Sequence, residues 1–495
     1  MSVVQSVDSV ALLPAYLAAG TAVLVLVVDL VLVRPRATVA VAALGAVGTA
    51  VCSALVGAGG ERRTFCVGAD CSWVFGGRAA LVGAVVALLT LGVLGLSVPA
   101  LRAGRSPVGE YAFLLACSMT GGVVLGAAGD LITLIVALET LTLPLYVLVG
   151  LRRGSLASAE AAVTFFVVSV VATTLTLLGA ALLYAVTGSL HLDRLGAVLA
   201  ERPEVRDLPL TTAAVALLLL GLAFKVAAVP FHAWAPATYD GAPLPVAAYL
   251  STASKLGGLV ALLAVVQRAL PADQTGPVLA LLAVLTMTVG NLVALRQRRT
   301  VRLLAWSSVA QAGYILAPLG ALALAAGRTG EARSAAYTAA VAYAVFFVVL
   351  ELAAFAGVSA LRPVGADGGT LDDLRGAARR HPWRGAALGL ALVGLAGLPP
   401  GLAGLFAKVT VVRSLLDGGA TWLALVVALN AVLGLAYYLR VTAGLWASTG
   451  TPSPGADGVV AVPLVGVVAV VLAVTTVAAV VLGVAPQLVL DLAAR

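Results

Sequence analysis

Long apolar runs dominate the chain, and short segments rich in arginine, glycine and proline separate them. A helix needs about 20 apolar residues to cross a bilayer, so runs of about 18 or more predict membrane-spanning helices. The runs are too long and too uniformly apolar for the strands of a membrane barrel. Fourteen helices are predicted, at 10–33, 38–57, 79–101, 112–129, 131–150, 163–187, 211–238, 243–268, 277–295, 301–324, 335–361, 386–412, 420–446 and 459–488.

The composition supports the same conclusion. Of the 495 residues, 61% are hydrophobic and 11% are charged, whereas a soluble domain has about 45–50% apolar and about 25% charged residues. A soluble enzyme, a disordered chain and a disulfide scaffold are therefore excluded. The net charge of +8 comes without a cluster of basic residues on one face, so nucleic-acid binding is not indicated. We expect an all-α integral membrane protein embedded in a lipid bilayer.

The distribution of arginine predicts the orientation of the chain. Sixteen arginines fall in one set of alternate loops and eleven in the other, and the richer side is expected to be cytoplasmic. With fourteen spans, both termini would lie outside. The loop with Cys66 and Cys71 would also lie outside, where the two residues could form a disulfide or remain separate thiols.

Two of the predicted helices are interrupted by proline. The seventh contains Pro230 and Pro236, and the twelfth contains Pro399 and Pro400. The interruptions lie five helices apart, as expected if helices 4–8 and 9–13 form two inverted five-helix repeats, and paired interruptions of this kind point to a transport path. The alternative is chance occurrence of proline in a glycine-rich chain.

This repeat predicts four divisions of the chain. They are the first three helices at 1–111, the two repeats at 112–268 and 277–446, and a last helix in 459–495.

Four charged residues lie deep within predicted helices. They are Glu139 and the only three lysines of the chain, Lys225, Lys255 and Lys408. A charge at the centre of a membrane helix costs about 2.5–3.5 kcal/mol on insertion scales and is usually functional. A buried lysine can release its proton and a carboxylate can accept one, so the set predicts proton transfer. The alternative for each residue is a buried ion pair or a snorkelling side chain.

Two further residues are candidates for the same path. Glu351 is near the middle of predicted helix 11, and its alternative role is pairing with a polar neighbour. His232 follows Lys225 by seven residues, which would place both on one helical face. The alternative for His232 is a hydrogen-bonded packing role.

Motifs for redox or nucleotide chemistry are absent from the sequence. It has no Walker A segment, no dinucleotide fingerprint and no cysteine set for an iron–sulfur cluster. We therefore expect no cofactor, metal or redox centre in this chain, and a role in transport.

Four segments resemble the antiporter-like membrane subunits of proton-pumping NADH–quinone oxidoreductase (complex I). Residues 137–146, ALETLTLPLY, are similar to the helix-5 glutamate motif, and residues 302–314, RLLAWSSVAQAGY, resemble the helix-10 motif. Residues 223–258, with the VPFHAW break and the SK lysine, are the most specific match, and LAGLPPGLAGLFAK at 395–408 resembles helix 12. The lysine of that last motif, the chain length and the AYYLRV run favour the subunit N branch.

The resemblance implies a role for each charged residue. Glu139 and Lys225 would be an interacting pair, Lys255 a connecting lysine and Lys408 an exit-side lysine. The sequence departs from the family at Gln311, where histidine is usual, and at Thr164-Phe165, where Lys-Tyr is common. Gln311 cannot titrate, and it would hold the path without carrying a proton.

The resemblance also implies the setting of the protein. The chain would be a multi-pass subunit of the bacterial inner (plasma) membrane, with other membrane subunits as partners. NADH, FMN, iron–sulfur clusters and quinone would be bound by partner subunits. The expected function is proton translocation coupled to quinone reduction, as part of a translocase enzyme. The alternatives are a subunit of a multisubunit cation/proton antiporter and a structural membrane subunit that does not conduct.

Overall fold

The computed structural model describes residues 7–152, 155–364, 368–448 and 466–494. Helices make up most of it, and two strands form one hairpin. The helices are α1 Ser9–Leu32, α2 Pro35–Ala58, α3 Gly77–Arg102, α4 Val108–Gly126, α5 Leu131–Gly150, α6 Leu156–Thr187, α7 Leu192–Glu201, α8 Pro203–Arg206, α9 Pro209–Lys225, α10 Trp234–Gly241, α11 Leu244–Tyr249, α12 Lys255–Arg268, α13 Ala272–Ala294, α14 Thr300–Gly320, α15 Gly330–Leu361, α16 Ala377–Arg380, α17 Pro382–Ala396, α18 Leu402–Asp417, α19 Thr421–Trp446, α20 Gly466–Val484 and α21 Gln487–Ala494. The strands are β1 Arg62–Val67 and β2 Asp70–Phe75.

Within the described residues, 11 helical segments are long and apolar enough to cross a membrane. The shorter apolar helices α9 and α17 belong to the two interrupted segments. The outward faces of the long helices carry many exposed leucine and valine side chains, as expected of surfaces that contact lipid. The chain is therefore a multi-pass membrane protein.

The all-α fold class is confirmed, and the loop between α2 and α3 adds one unpredicted element to it. This loop forms an antiparallel hairpin of β1 and β2, closed by a disulfide between Cys66 and Cys71. Alternate residues of β2 are buried, and the Trp73 indole donates to the Ala11 carbonyl at 3.0 Å. Because successive side chains of a strand point to opposite faces, β2 buries one face against α1 and leaves the other face more exposed.

A second unpredicted element lies between α6 and α9. Helix α7 buries Leu192 and Leu195 and leaves its polar face exposed. Arg268 at the end of α12 donates to both carboxylate oxygens of Asp193, at 2.8 and 2.7 Å. These hydrogen bonds from Arg268 hold the pKa of the Asp193 carboxyl below its usual value. The contact fixes α7 across the end of the helix bundle.

Most helix boundaries lie within a few residues of the prediction. The largest shift at a helix start is in α6, which begins at Leu156 where 163 was expected. The last predicted helix began at 459, but residues 459–465 lie outside the described part of the chain. Within the described part this segment ends at Val484, before Pro486, and α21 follows.

Helix α15 lies at the centre of the bundle. Nearly its whole length is buried, and it packs against α14, α17, α18 and α20. On the other side of the bundle, α6 packs against α9 and α10, and α4 packs against α5. Small residues permit these close contacts: a Cβ added to Gly121 of α4 would lie 2.2 Å from the Leu141 nitrogen of α5. Charged residues on α5, α9, α12 and α15 therefore face the interior.

Candidate functional site

The first polar cluster joins α5, α6 and α9. The Lys225 ammonium donates to Glu139 Oε1 at 2.7 Å and to the Ser169 hydroxyl at 2.9 Å. Thr173 donates to the same carboxylate oxygen at 2.6 Å. The Lys225 side chain is 4% exposed, whereas the Glu139 side chain is 21% exposed. Glu139 therefore forms the more accessible end of a buried ion pair.

The interruption of predicted helix 7 places Lys225 at a helix terminus. Helix α9 ends at Lys225 and helical structure resumes at Trp234. The intervening chain is fixed from both sides: the Val229 N–H donates to Thr286 of α13 at 2.9 Å, and Trp234 stacks on Phe165 with ring centroids 4.6 Å apart. Lys225 thus lies at the negative end of the α9 dipole, which stabilises its positive charge.

His232 does not share a helical face with Lys225, so that prediction is wrong. The helix has ended at Lys225, and His232 lies in the non-helical segment that follows. Its ring contacts Trp306 of α14, with centroids 5.1 Å apart. His232 therefore packs between the first interruption and α14.

The second polar cluster joins α12, α14 and α15. The Lys255 ammonium donates to the Ser308 carbonyl at 2.7 Å and to the Ser308 hydroxyl at 2.6 Å. The Ser308 and Ser251 hydroxyls are 3.2 Å apart, and Ser251 donates to Glu351 Oε1 at 2.7 Å. Lys255 is 3% exposed and Glu351 is 0% exposed. Two hydroxyls thus connect a buried lysine with a buried carboxylate.

A π-helical turn at Leu250–Ser254 positions this cluster. It precedes Lys255 and includes Ser251, and π turns inside α-helices often mark functional sites. Glu351 Oε2 is buried and has no hydrogen-bond partner in the described ranges. An unpaired buried carboxylate oxygen is costly, so stability alone does not explain Glu351.

The first two clusters are adjacent because α12 packs directly on Lys225. A Cβ added to Gly258 would lie 2.9 Å from the Lys225 backbone and Cβ. Gly258 is one helical turn after Lys255, so both lysines lie at the same packing contact.

The third cluster surrounds Lys408 in α18. Its ammonium donates to the carbonyls of Leu395 and Ala396, at 3.3 and 2.5 Å. These carbonyls lie at the end of α17, and the Pro399-Pro400 interruption leaves them without a continuing helix. The Tyr314 ring is 5.3 Å from the ammonium. Lys408 is 8% exposed and forms no ion pair with a carboxylate among the described residues.

Gly397 is required for this geometry. Its φ is +80°, and an added Cβ would lie 2.8 Å from Lys408 Cδ. We expect Gly397→Ala to displace the lysine from its carbonyl partners and to impair any function that depends on them. Gly444→Ala is the matched control, because an added Cβ meets nothing within 4 Å there. The rate of proton translocation is measured for both variants of the purified protein, and equal rates would contradict the expectation.

Gln311 links the third cluster with α15 and α19. Its Nε2 donates to the Leu395 carbonyl at 3.1 Å and to the Tyr438 hydroxyl at 3.0 Å. Its Oε1 accepts from Tyr343 at 2.6 Å. Gln311 and Lys408 therefore share the Leu395 carbonyl. Because Gln311 follows Ser308 by one turn of α14, this helix connects the second and third clusters.

Sequence reasoning missed a network of amides and tyrosines beside Lys408. Asn291 donates to the Tyr314 hydroxyl at 3.1 Å and to Asn430 at 3.1 Å, and Tyr437 donates to Asn291 at 3.1 Å. The signal was the presence of asparagine within two apolar helices, since a buried amide must find partners.

The seven sequence-predicted residues therefore fall into three groups and one separate residue. Glu139 lies with Lys225, Glu351 with Lys255, and Gln311 with Lys408, while His232 lies against Trp306. Within the described ranges, no group of three or more His, Cys, Asp or Glu could hold a metal ion. The arrangement can bind and pass protons between lysine, carboxylate and hydroxyl groups.

Comparisons with known proteins assign the family. Residues 128–434 match the family described as "NADH:quinone oxidoreductase/Mrp antiporter, TM". A curated relative from Salinispora tropica, NADH-quinone oxidoreductase subunit N, is 78% identical over 517 aligned positions, which cover 100% of both chains.

Solved structures agree with this assignment. A chain of respiratory complex I from Thermus thermophilus is 32% identical with a TM-score of 0.78, covering 97% of this chain and 99% of that one. A chain of the Mrp complex from Dietzia sp. has a TM-score of 0.81 at 22% identity over 97% and 96% of the two chains, and it shows the shared fold alone. The chain belongs to the subunit N family of NADH-quinone oxidoreductase, the antiporter-like membrane subunits of complex I.

Proposed function

We propose that this chain translocates protons along its three polar clusters, coupled to quinone reduction in neighbouring subunits of the complex. The observation that carries the proposal is the connection of Lys255 to Glu351 through the Ser308 and Ser251 hydroxyls. A hydroxyl both donates and accepts a hydrogen bond, so this connection can pass a proton. A direct ion pair between the lysine and the glutamate would hold the proton on the lysine.

Each cluster has a distinct role in this proposal. Glu139 and Lys225 form the charge pair whose opening or closing changes the proton affinity of the next lysine. Lys255 exchanges its proton with Glu351, and Lys408 releases a proton at the far end. Gln311 holds the connection between the last two clusters without titrating.

The helix packing supports two inverted repeats in a protein of fourteen spans. Helices α4 and α5 pack together as α13 and α14 do, and α6 packs on the interrupted pair α9–α10 as α15 packs on α17–α18. Counting each interrupted pair as one span and adding α14 to the 11 segments gives fourteen. The divisions at 1–111, 112–268, 277–446 and 459–495 follow from this repeat.

The orientation and the partners are part of the same proposal. The arginine-rich ends would face the cytoplasm, with both termini and the disulfide hairpin outside. NADH, FMN, the iron–sulfur clusters and quinone would be bound by other subunits, and the similarity to a membrane subunit of NADH-quinone oxidoreductase supports this division.

The hydroxyl connection is tested by Ser308→Ala in the intact complex, reconstituted in vesicles. We expect fewer protons pumped per NADH oxidised, with the rate of NADH oxidation by a soluble acceptor unchanged. The matched control is Ser53→Ala, because Ser53 is equally buried in α2 but has no hydrogen-bond partner for its hydroxyl in the described residues. Unchanged pumping in Ser308→Ala would exclude the proposed connection.

The complex itself is tested by purification with its native partners. Flavin and iron–sulfur subunits that co-purify with the chain would support the proposal. A purified assembly that lacks them and exchanges cations for protons would favour the antiporter function.

Gln311 provides a further prediction. We expect Gln311→His to preserve pumping, because imidazole can donate to the Leu395 carbonyl through one nitrogen and accept from Tyr343 through the other. Gln311→Leu keeps the volume but removes these contacts, and it should lower pumping. Both are measured as protons pumped per NADH, with assembly checked by co-purification. Loss of pumping in the histidine variant would show that the site accepts only an amide.

A further inference from the structure

A long apolar groove runs along α3. Its floor is formed by α3 and α15, and α2 and α20 stand on either side. The cavity has a volume of about 680 Å³, within the range of about 300–1,000 Å³ that holds small-molecule ligands. It follows α3 from Val85 to Arg102, which is about 25 Å of helix.

The lining of this groove is apolar except at one end. Arg36, at the start of α2, and Arg102, at the end of α3, both line it. The two helices are antiparallel neighbours, so both arginines lie at the same membrane surface. Thr475, the remaining polar lining residue, donates to the Val471 carbonyl of its own helix at 2.8 Å.

The two arginines are available to a ligand. Both side chains are exposed, and neither forms an ion pair with a carboxylate in the described part of the chain. In a membrane, the region beside them contains lipid headgroups, and guanidinium groups bind phosphate with two parallel hydrogen bonds. The groove that leads away from them is longer than one leaflet of the hydrocarbon core, which is about 15 Å thick.

We propose that this groove binds an anionic phospholipid, with its phosphate at Arg36 and Arg102 and an acyl chain along α3. The charge of the arginines selects the headgroup, and the apolar walls formed by α2, α3, α15 and α20 hold the chain. The bound lipid fills the space between α2 and α20 and attaches the first helices of the protein to α15. None of the residues of the three polar clusters lines the groove, so the lipid site does not depend on the proposed proton path.

The charge of the site is tested with the intact complex, stripped of loosely bound lipid and titrated with phosphatidylglycerol or phosphatidylcholine. Bound lipid is counted by native mass spectrometry. A basic residue near a membrane surface contributes about 5-fold to the binding of an anionic lipid, so Arg36→Gln with Arg102→Gln should weaken phosphatidylglycerol binding by about 25-fold. Phosphatidylcholine binding should be unchanged. The matched control is Arg34→Gln with Arg105→Gln, which removes two arginines that lie just outside the same helix ends and do not line the groove.

The shape of the site is tested by filling it. Ala43→Phe places a ring within the groove and should remove one tightly bound lipid, whereas Val51→Phe, on the exposed face of the same helix, should not. Equal phosphatidylglycerol binding by wild type and the double arginine variant would overturn the proposal. A cysteine at position 43 that cross-links to a partner subunit would also overturn it, because a protein segment would then occupy the groove.

Discussion

Lys225→Ala and Glu139→Ala are each expected to abolish most quinone-coupled proton pumping while the complex still assembles. Loss of either partner removes the charge pair that sets the proton affinity of the next lysine, and the 2.7 Å contact joins this pair directly. Assembly should survive because α5 and α9 pack mainly through apolar faces. The measurement is proton uptake by vesicles that contain the reconstituted complex, together with the rate of NADH oxidation.

Two neighbouring threonines provide the control for this prediction. Thr173 donates to Glu139 at 2.6 Å, whereas Thr174 donates only to the Val170 carbonyl of its own helix at 2.9 Å. Thr173→Val should therefore reduce pumping, and Thr174→Val should leave it unchanged. Wild-type pumping per NADH in either Lys225→Ala or Glu139→Ala would remove this ion pair from the mechanism.

The membrane helices could be predicted from the sequence because their signal is local. An apolar run of the length of a bilayer has few other structural solutions. The hairpin of β1 and β2 gave no comparable signal, because its six-residue strands are stabilised by contacts with distant residues such as Ala11. Tertiary contacts of this kind are not visible in a local pattern.

The charged residues of the site were also predictable, since a lysine or glutamate in an apolar run is conspicuous and costly. Ser251 and Ser308 were not, because serine is common in membrane helices and satisfies itself by bonding within its own helix. Their importance depends on a π turn and on hydrogen bonds that join distant helices, from Lys255 to Ser308 of α14 and from Ser251 to Glu351 of α15. The prediction that His232 shares a face with Lys225 was wrong for a related reason. It assumed that the helix continues to His232, whereas α9 ends at Lys225.

The two interruptions use one physical principle to hold a lysine in the membrane. Lys225 is itself the last residue of α9, and Lys408 reaches the carbonyls at the end of α17. Helix C-termini carry partial negative charge, so each site stabilises an ammonium group. At Lys225 a carboxylate adds to this effect, whereas Lys408 depends on carbonyls. Lys408 therefore has weaker compensation for its charge and is the better candidate for proton release.

We expect Lys408→Arg to preserve assembly but to lower pumping strongly. Arginine keeps the positive charge and can donate to the Leu395 and Ala396 carbonyls, but guanidinium does not deprotonate in proteins. A lysine that releases a proton in each cycle cannot be replaced by it, whereas a lysine that only neutralises the interruption can. Proton uptake in vesicles, measured with NADH oxidation, distinguishes the two roles.

Lys408→Gln completes the test, because glutamine can donate to the same carbonyls without a charge. If proton release is required, the arginine and glutamine variants both assemble and both lose pumping, since neither group exchanges a proton. If a fixed charge is sufficient, arginine retains full coupling and only glutamine loses it. Full coupling with arginine would therefore assign Lys408 a static role and would place proton release at Lys255 and Glu351, the buried pair that two hydroxyls connect.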